Sequence, residues 1–226
     1  MKRKQFGVIG LGRFGSAMAT TLTELGHDVI GVDGDPERVR QLADTLTQAV
    51  ELDATDERAL RAVGIQDVDV AVVSIGENIE SSLLVVMQLR ELGIETIVAK
   101  AVTPLHGRIL EKLGVSRVIF PEREMAVRVA HGLVMPNVVD YIELSRDVSI
   151  VELPAPDLFV GRTLKQLELR PKYGLMLIAI KRRPSPAAAV VTNIAPSADD
   201  MIQQGDVLSL LGSNERLAQL DRLLKP

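Results

Sequence analysis

The chain has 226 residues, 46% of them hydrophobic, with 26 basic and 30 acidic side chains, no cysteine and no tryptophan. At about 150 residues per domain, that length accommodates one large domain, or one medium domain with a small companion. The balanced charge argues against a nucleic-acid binder held by bulk positive potential, and the lack of cysteine excludes a disulfide scaffold, a thiolate zinc site, an iron–sulfur cluster and a cysteine nucleophile.

From the amino end, Met1-Lys2-Arg3-Lys4 leads directly into a strand-like run, so no signal peptide is expected. Short apolar runs follow at 6–9, 29–32, 48–52, 70–75, 96–99 and 118–120. They alternate with segments of helical periodicity at 17–25, 37–45, 57–63, 79–92 and 105–113. Gly26, Gly64, Gly93 and Gly114 stand where left-handed caps would end these helices. Strands apolar on both faces, alternating with helices, predict a Rossmann-like, doubly wound parallel α/β sheet over residues 1–121. None of the runs approaches the roughly 20 apolar residues that cross a bilayer, so a soluble chain is expected.

Residues 122–146 read as a connecting segment. A helix interrupted at Pro136 and Asn137 is followed by a short helical turn over 138–142. Its apolar Met125, Val129, Leu133 and Val134 call for burial outside the sheet, with a dimer partner as the natural cover. Residues 147–226 then form a small α+β module. Strands are expected at 149–153, 175–181, 190–193 and 206–211, helices at 163–167 and 215–224, and a proline-containing hairpin loop at 182–186.

The sharpest motif is Gly10-Leu11-Gly12-Arg13-Phe14-Gly15, between the first strand and the first helix. In that context Gly10 permits the tight turn, Gly12 lets the backbone approach a phosphate, and Gly15 lets helix and sheet pack closely. The second strand ends in Asp33, 18 residues past Gly15, where an acidic group binds ribose hydroxyls and disfavours a 2′-phosphate. The remaining strand ends place Asp53-Ala54-Thr55, Ser74, Gly76, Lys100 and Glu122 around the same crevice. Asp53 serves either as a helix N-cap, a role Thr55 or Asp56 could fill equally well, or as an adenine contact, and Lys100 is either a solvated strand end or a phosphate ligand. The extra cation at Arg13 suits a terminal polyphosphate, which makes ATP or ADP as plausible as NAD.

Catalysis is the weaker reading. His27, His106 and His131 lie far apart, with no orienting carboxylate that can be named for a general acid or base. The same histidines give zinc little support, while an oxygen-ligated Mg²⁺ or Ca²⁺ shared with nucleotide phosphates stays open.

Several segments together resemble one family: the fingerprint at 10–15, Gly26-His27, Val32-Asp33, Asp53-Ala54-Thr55, 110–115 and 118–122, then Gly161-Arg162-Thr163-Leu164, Ile178-Ala179-Ile180-Lys181 and Gly205-Asp206-Val207-Leu208. These are similar to the RCK (regulator of potassium conductance) regulatory subunits of bacterial potassium uptake systems, of the KtrA/TrkA type. One copy of each domain fits the KtrA pattern.

The resemblance implies a regulator and not an enzyme, cytoplasmic and peripheral on the inner face of the membrane. It implies homodimers assembled into an octameric ring on a KtrB/TrkH-type potassium-translocating subunit. ATP and ADP would compete for the crevice, with Arg13 reaching a γ-phosphate, Asp33 the ribose and Lys100 the phosphates. Glu122 would bind a divalent cation, Mg²⁺ or Ca²⁺, at the dimer interface. The family also implies cyclic di-AMP as a ligand of the C-terminal domain, for which Ile178, Ile180 and Pro196 are candidate lining residues, with plain dimer core the favoured reading of all three. An NAD(H)-binding oxidoreductase or redox sensor remains the alternative.

Overall fold

The computed structural model describes residues 2–223 except 77, 136–137 and 186–187. The expected interruption at Pro136 and Asn137, Pro186 of the expected hairpin loop, and Leu224 at the expected end of the last helix lie outside those residues. The chain forms two units, 1–122 and 123–226.

The first unit runs β1 (Gln5–Ile9), α1 (Arg13–Glu24), β2 (Asp28–Asp33), α2 (Pro36–Leu42), β3 (Gln48–Glu51), α3 (Glu57–Ala62), β4 (Val70–Val73), α4 (Ile79–Glu91), β5 (Ile97–Lys100), α5 (Pro104–Lys112) and β6 (Arg117–Ile119), and ends as α6 (Pro121–Val134) begins. All six strands are parallel, in the order β3-β2-β1-β4-β5-β6. The order reverses beside β1, so the chain leaves β1 toward one edge and returns through β4 toward the other. That arrangement opens a crevice at the carboxyl ends.

Successive residues of one strand feed two separate cores, as the period of two requires. Val8, Val29 and Val72 join Leu11, Ala19, Leu42 and Leu46 on one face. Ile9, Ile30, Ala71 and Val73 join Leu60, Val85, Val86, Leu89 and Leu110 on the other. Both faces are therefore covered by helices. Gly26, Gly64, Gly93 and Gly114 have φ of +85°, +80°, +85° and +80°, the left-handed conformation expected of them.

The second unit holds most of α6 and a five-stranded antiparallel sheet in the order β10-β9-β11-β8-β7. Its strands are β7 (Asp140–Ser145), β8 (Val148–Pro154), β9 (Met176–Arg182), β10 (Val191–Asn193) and β11 (Val207–Ser213). Its short helices are α7 (Leu164–Leu167) and α8 (Leu169–Tyr173), and α9 (Asn214–Leu223) closes it. Their core gathers Tyr141, Val151, Leu153, Phe159, Leu208, Leu210, Leu217 and Leu220.

The expected helical turn over 138–142 is corrected by this sheet. Tyr141 pairs with Val151 and Ile142 with Ile150 across the β7–β8 hairpin, and Val139 N–H donates to Glu152 O at 2.6 Å. Tyr141 faces inward while Ile142 faces out, and buried Ser149 ties the Tyr141 hydroxyl to Asn214 Oδ1. Alternating burial with cross-strand pairing prevails here over a local helical spacing. The connecting segment 122–146 is thus one helix and one strand, and the sheet has five strands instead of the four expected. Helix α8 has no counterpart among the expected elements; it begins directly after Glu168, which is in a left-handed conformation, φ +49°.

Helix α6 buries none of its residues within the described chain, and Met125, Val129, Leu133 and Val134 are all exposed. Ile180 lies in the second unit's own core, Ile178 is partly buried, and Pro196 is partly buried after β10.

Asp206 is the most costly charge in this unit. It is fully buried, receives two bonds of 2.7 Å from Arg182 and a third from Gln203 N–H. An Asp206→Asn substitution leaves Arg182 without its counter-charge. We expect a loss of about 3 kcal/mol, at the lower end for breaking a buried pair because Arg182 still reaches water. Urea unfolding monitored by circular dichroism checks this, and an unchanged midpoint would show that the pair contributes nothing.

Candidate functional site

The crevice is built around a loop that steric exclusion dictates. Gly10 has φ +94°, and a Cβ there would come within 3.0 Å of the Ser74 backbone. A Cβ on Gly15 would stand 1.8 Å from the Gly10 carbonyl oxygen, so no side chain fits and α1 lies directly against the end of β1. At Gly12 the opposite holds, because a Cβ would meet nothing within 4 Å. Gly12 caps α1 without a side-chain hydrogen bond. Helices α2, α3, α4 and α5 are each capped by a side chain, from Asp35, Asp56, Asn78 and Thr103. The first N–H groups of α1 therefore face open space with the positive end of the helix dipole behind them, which is the requirement for holding a phosphate.

Arg13 is the first helical residue, is exposed, and makes no ion pair among the described residues. Phe14 is partly buried beside it. Ser74, at the end of β4, has a buried hydroxyl without a hydrogen-bond partner among the described residues, 3.1 Å from where a Gly15 Cβ would stand. An open glycine, an uncapped helix and an orphaned hydroxyl at one strand edge fit an anionic nucleotide.

Asp33 ends β2 nearly buried, and its carboxylate already performs a structural task. Oδ2 accepts the Leu11 N–H at 2.6 Å, and Oδ1 accepts the Asp35 N–H at 2.9 Å. It thereby fastens the glycine loop to β2. Arg38 Nη1 stands 3.5 Å from Oδ2, a cation that the sequence reading missed. Its signal was position, in the first turn of a helix that Asp35 caps and Pro36 begins.

On the other side of the switch point, Lys100 and Glu122 come together. Lys100, at the end of β5 and mostly buried, donates to Glu122 Oε1 at 2.5 Å, and its hydrogen bond holds the Glu122 carboxyl below its ordinary range. A Cβ at Gly76 would lie 3.3 Å from the Lys100 ammonium, so the glycine leaves room for that side chain over the β4–α4 loop. Lys100 is thus neither a solvated strand end nor a free phosphate ligand in this state. Among the described residues no three His, Asp or Glu side chains converge as a metal site, so a cation at Glu122 needs ligands from elsewhere.

Asp53 closes a turn, accepting from Thr55 N–H at 2.9 Å and Thr55 Oγ1 at 2.7 Å. Those bonds, the hydroxyl first, keep its carboxyl below its ordinary range. The cap of α3 is Asp56 instead. Ala54, between them, is partly buried. Gln88 of α4, also missed from sequence, donates from Nε2 to Thr55 O at 2.7 Å. His106 is buried, accepts weakly from Val102 N–H, and is shifted toward its neutral form by burial.

The TrkA-N domain matches residues 6–121 and the TrkA-C domain residues 148–225. The Ktr system potassium uptake protein C of Bacillus subtilis (strain 168) is 40% identical over 220 residues, spanning 97% of each chain. The Ktr system potassium uptake protein A of the same organism is 38% identical over 221 residues, spanning 98% of this chain and 97% of that one. In three dimensions the fold resembles that of the GsuK channel bound to NAD. The TM-score is 0.62 at 19% identity, with all of this chain covered and 40% of that longer one. The chain belongs to the KtrA/TrkA family of RCK-domain regulatory subunits of bacterial potassium uptake systems.

Proposed function

We propose that the chain is a nucleotide-gated regulator of a membrane potassium-translocating subunit of the KtrB/TrkH type, and not an enzyme. It acts from the cytoplasmic face of the membrane, and no helix of the described residues is long and apolar enough to cross a bilayer. ATP and ADP exchange in the crevice of the first unit. The observation that carries this reading is the uncapped N-terminus of α1 at an open Gly12, with the Arg13 guanidinium, unpaired among the described residues, beside it. Two phosphates satisfy the helix end. A third gives Arg13 a partner, so the two ligands make different contacts and select different conformations. Asp33 keeps an acceptor position for a ribose hydroxyl, and Gly10, Gly12, Phe14, Gly15, Ser74 and Gly76 frame the phosphates.

Lys100 is released from Glu122 when phosphates arrive, which frees that carboxylate for Mg²⁺ or Ca²⁺. Two such sites facing each other across a homodimer bring phosphates of like charge together, and a cation offsets them. The exposed apolar residues of α6 supply the contact surface for that dimer, and dimers assemble into the octameric ring. Cyclic di-AMP remains a ligand that family membership alone suggests. With Ile180 inside the domain's own core, only Ile178 and Pro196 of the three residues are left to line such a site.

NAD(H) is the second reading, favoured by Asp33 at the ribose position. Calorimetric titration of the purified chain with ATP, ADP and NADH decides between the two. Binding of both ATP and ADP supports the regulator, and tight NADH binding with neither of the others overturns it. Arg13→Ala is expected to weaken ATP about tenfold, the worth of a charge-assisted bond, while ADP changes by less than about twofold. Equal losses would remove the γ-phosphate role.

For Glu122→Gln, reconstituted potassium flux should lose its divalent-cation activation while nucleotide affinity persists, and an undiminished cation response would refute the assignment. Because Lys100 depresses the Glu122 carboxyl, their ion pair is complete above the ordinary carboxylate range and opens only as pH falls through the lowered value.

A further inference from the structure

Helix α4 buries Ser82, Val85, Val86, Gln88 and Leu89. Gln88 is the member of this stripe whose chemistry packing does not explain. Its Nε2 donates to the Thr55 carbonyl, while its Oε1 is buried without a partner among the described residues. A backbone carbonyl only accepts, so the nitrogen must face Thr55 and the oxygen is left over. Leucine or methionine there would remove the stranded Oε1 but leave the Thr55 carbonyl without this donor, so what the glutamine adds over an apolar residue is its hold on Thr55.

What the bond does is hold a loop. Thr55 is the residue on which the Asp53 turn closes, and Gln88 grips the same residue from 33 positions further along the chain. Helix α4 starts at the β4 wall of the crevice, just after Gly76, and through Gln88 it also fixes the loop that ends β3. The face next to Gln88 carries the exposed side chains Leu84 and Met87.

We propose that Gln88 is a positioning residue for the nucleotide base. By fixing the Thr55 carbonyl it sets where the backbone of residues 53–55 stands against the adenine edge, and it joins that loop to α4. This rests on the nucleotide reading above and on the adenine contact suggested by the position of residues 53–55 at the carboxyl end of β3. A site discriminates bases only when its donors and acceptors are held in place, so a loosened loop loses selectivity as well as affinity.

The test is calorimetric titration of the wild-type chain and of Gln88→Leu with ADP and GDP. It is accompanied by thermal melting and by hydrogen exchange of the amides of residues 54–58. We expect wild type to prefer ADP. In Gln88→Leu, ADP should bind about tenfold more weakly, the ratio of GDP to ADP affinity should move toward one, and exchange at 54–58 should accelerate while α4 stays protected and the melting temperature holds. A folded variant with unchanged affinity and selectivity overturns the proposal, and so does an equal loss for ADP and GDP, which marks a purely structural role. If Gln88→Leu does not fold, Gln88→Met takes its place, and failure of both to fold also assigns the residue to structure. A wild-type chain that binds no nucleotide refutes the underlying reading instead, and the exchange data then report on the loop clamp alone.

Discussion

The approach of Gly15 to the Gly10 carbonyl oxygen is the constraint on which the rest of the crevice depends. With 1.8 Å between that oxygen and any Cβ, the position admits no side chain, and the first turn of α1 is pressed against the end of β1. The helix axis is thereby aimed across the switch point of the sheet. Because Gly12 brings no capping side chain, the aimed N-terminus keeps its donors free. Asp33 completes the arrangement by gripping the Leu11 N–H, so the loop is fixed from β2 as well as from α1. One carboxylate therefore serves as both loop anchor and candidate ribose ligand.

Charge is distributed around this frame in a way that bulk composition conceals. The chain's net charge is only −4, yet the crevice holds Arg13 exposed on one side and a Lys100–Glu122 pair on the other. On the proposed function this ion pair is a poised arrangement, since an incoming phosphate would compete for the lysine and release the carboxylate. Only the Glu122 end of this pair is exposed to water, so it is the carboxylate that leaves when an anion takes the lysine. Binding of anion and cation can then be coupled through Lys100 without a large rearrangement of the fold.

Much of the first unit was legible because each of its signals has one dominant physical cause. Strand runs apolar on both faces, and glycines at four helix ends, report burial and left-handed backbone directly. Gly10 and Gly15 of the fingerprint report steric requirements that a side chain does not meet. The second unit was less legible where local and long-range preferences conflict. Val138 to Ile142 continues a helical spacing, but Tyr141 finds Val151 and Ser149 on β8, partners that only the folded chain supplies.

The site was read in part for the same reason. Gly10, Gly12, Gly15 and Asp33 follow from local spacing. The pairing of Lys100 with Glu122, the approach of Arg38 to Asp33 and the reach of Gln88 to Thr55 are juxtapositions that depend on topology.

The central claim is that nucleotide identity in this crevice sets the conformation of the assembled protein. The absence of cysteine makes a direct measurement straightforward, since a single Ala130→Cys on the exposed side of α6 can carry a spin label without competition. Pulsed electron–electron resonance then measures the distance between labels on two copies with ATP or with ADP bound. The account predicts two distinct distance distributions that interconvert when the nucleotides are exchanged. A single distribution, identical with both nucleotides at saturating occupancy, would contradict it.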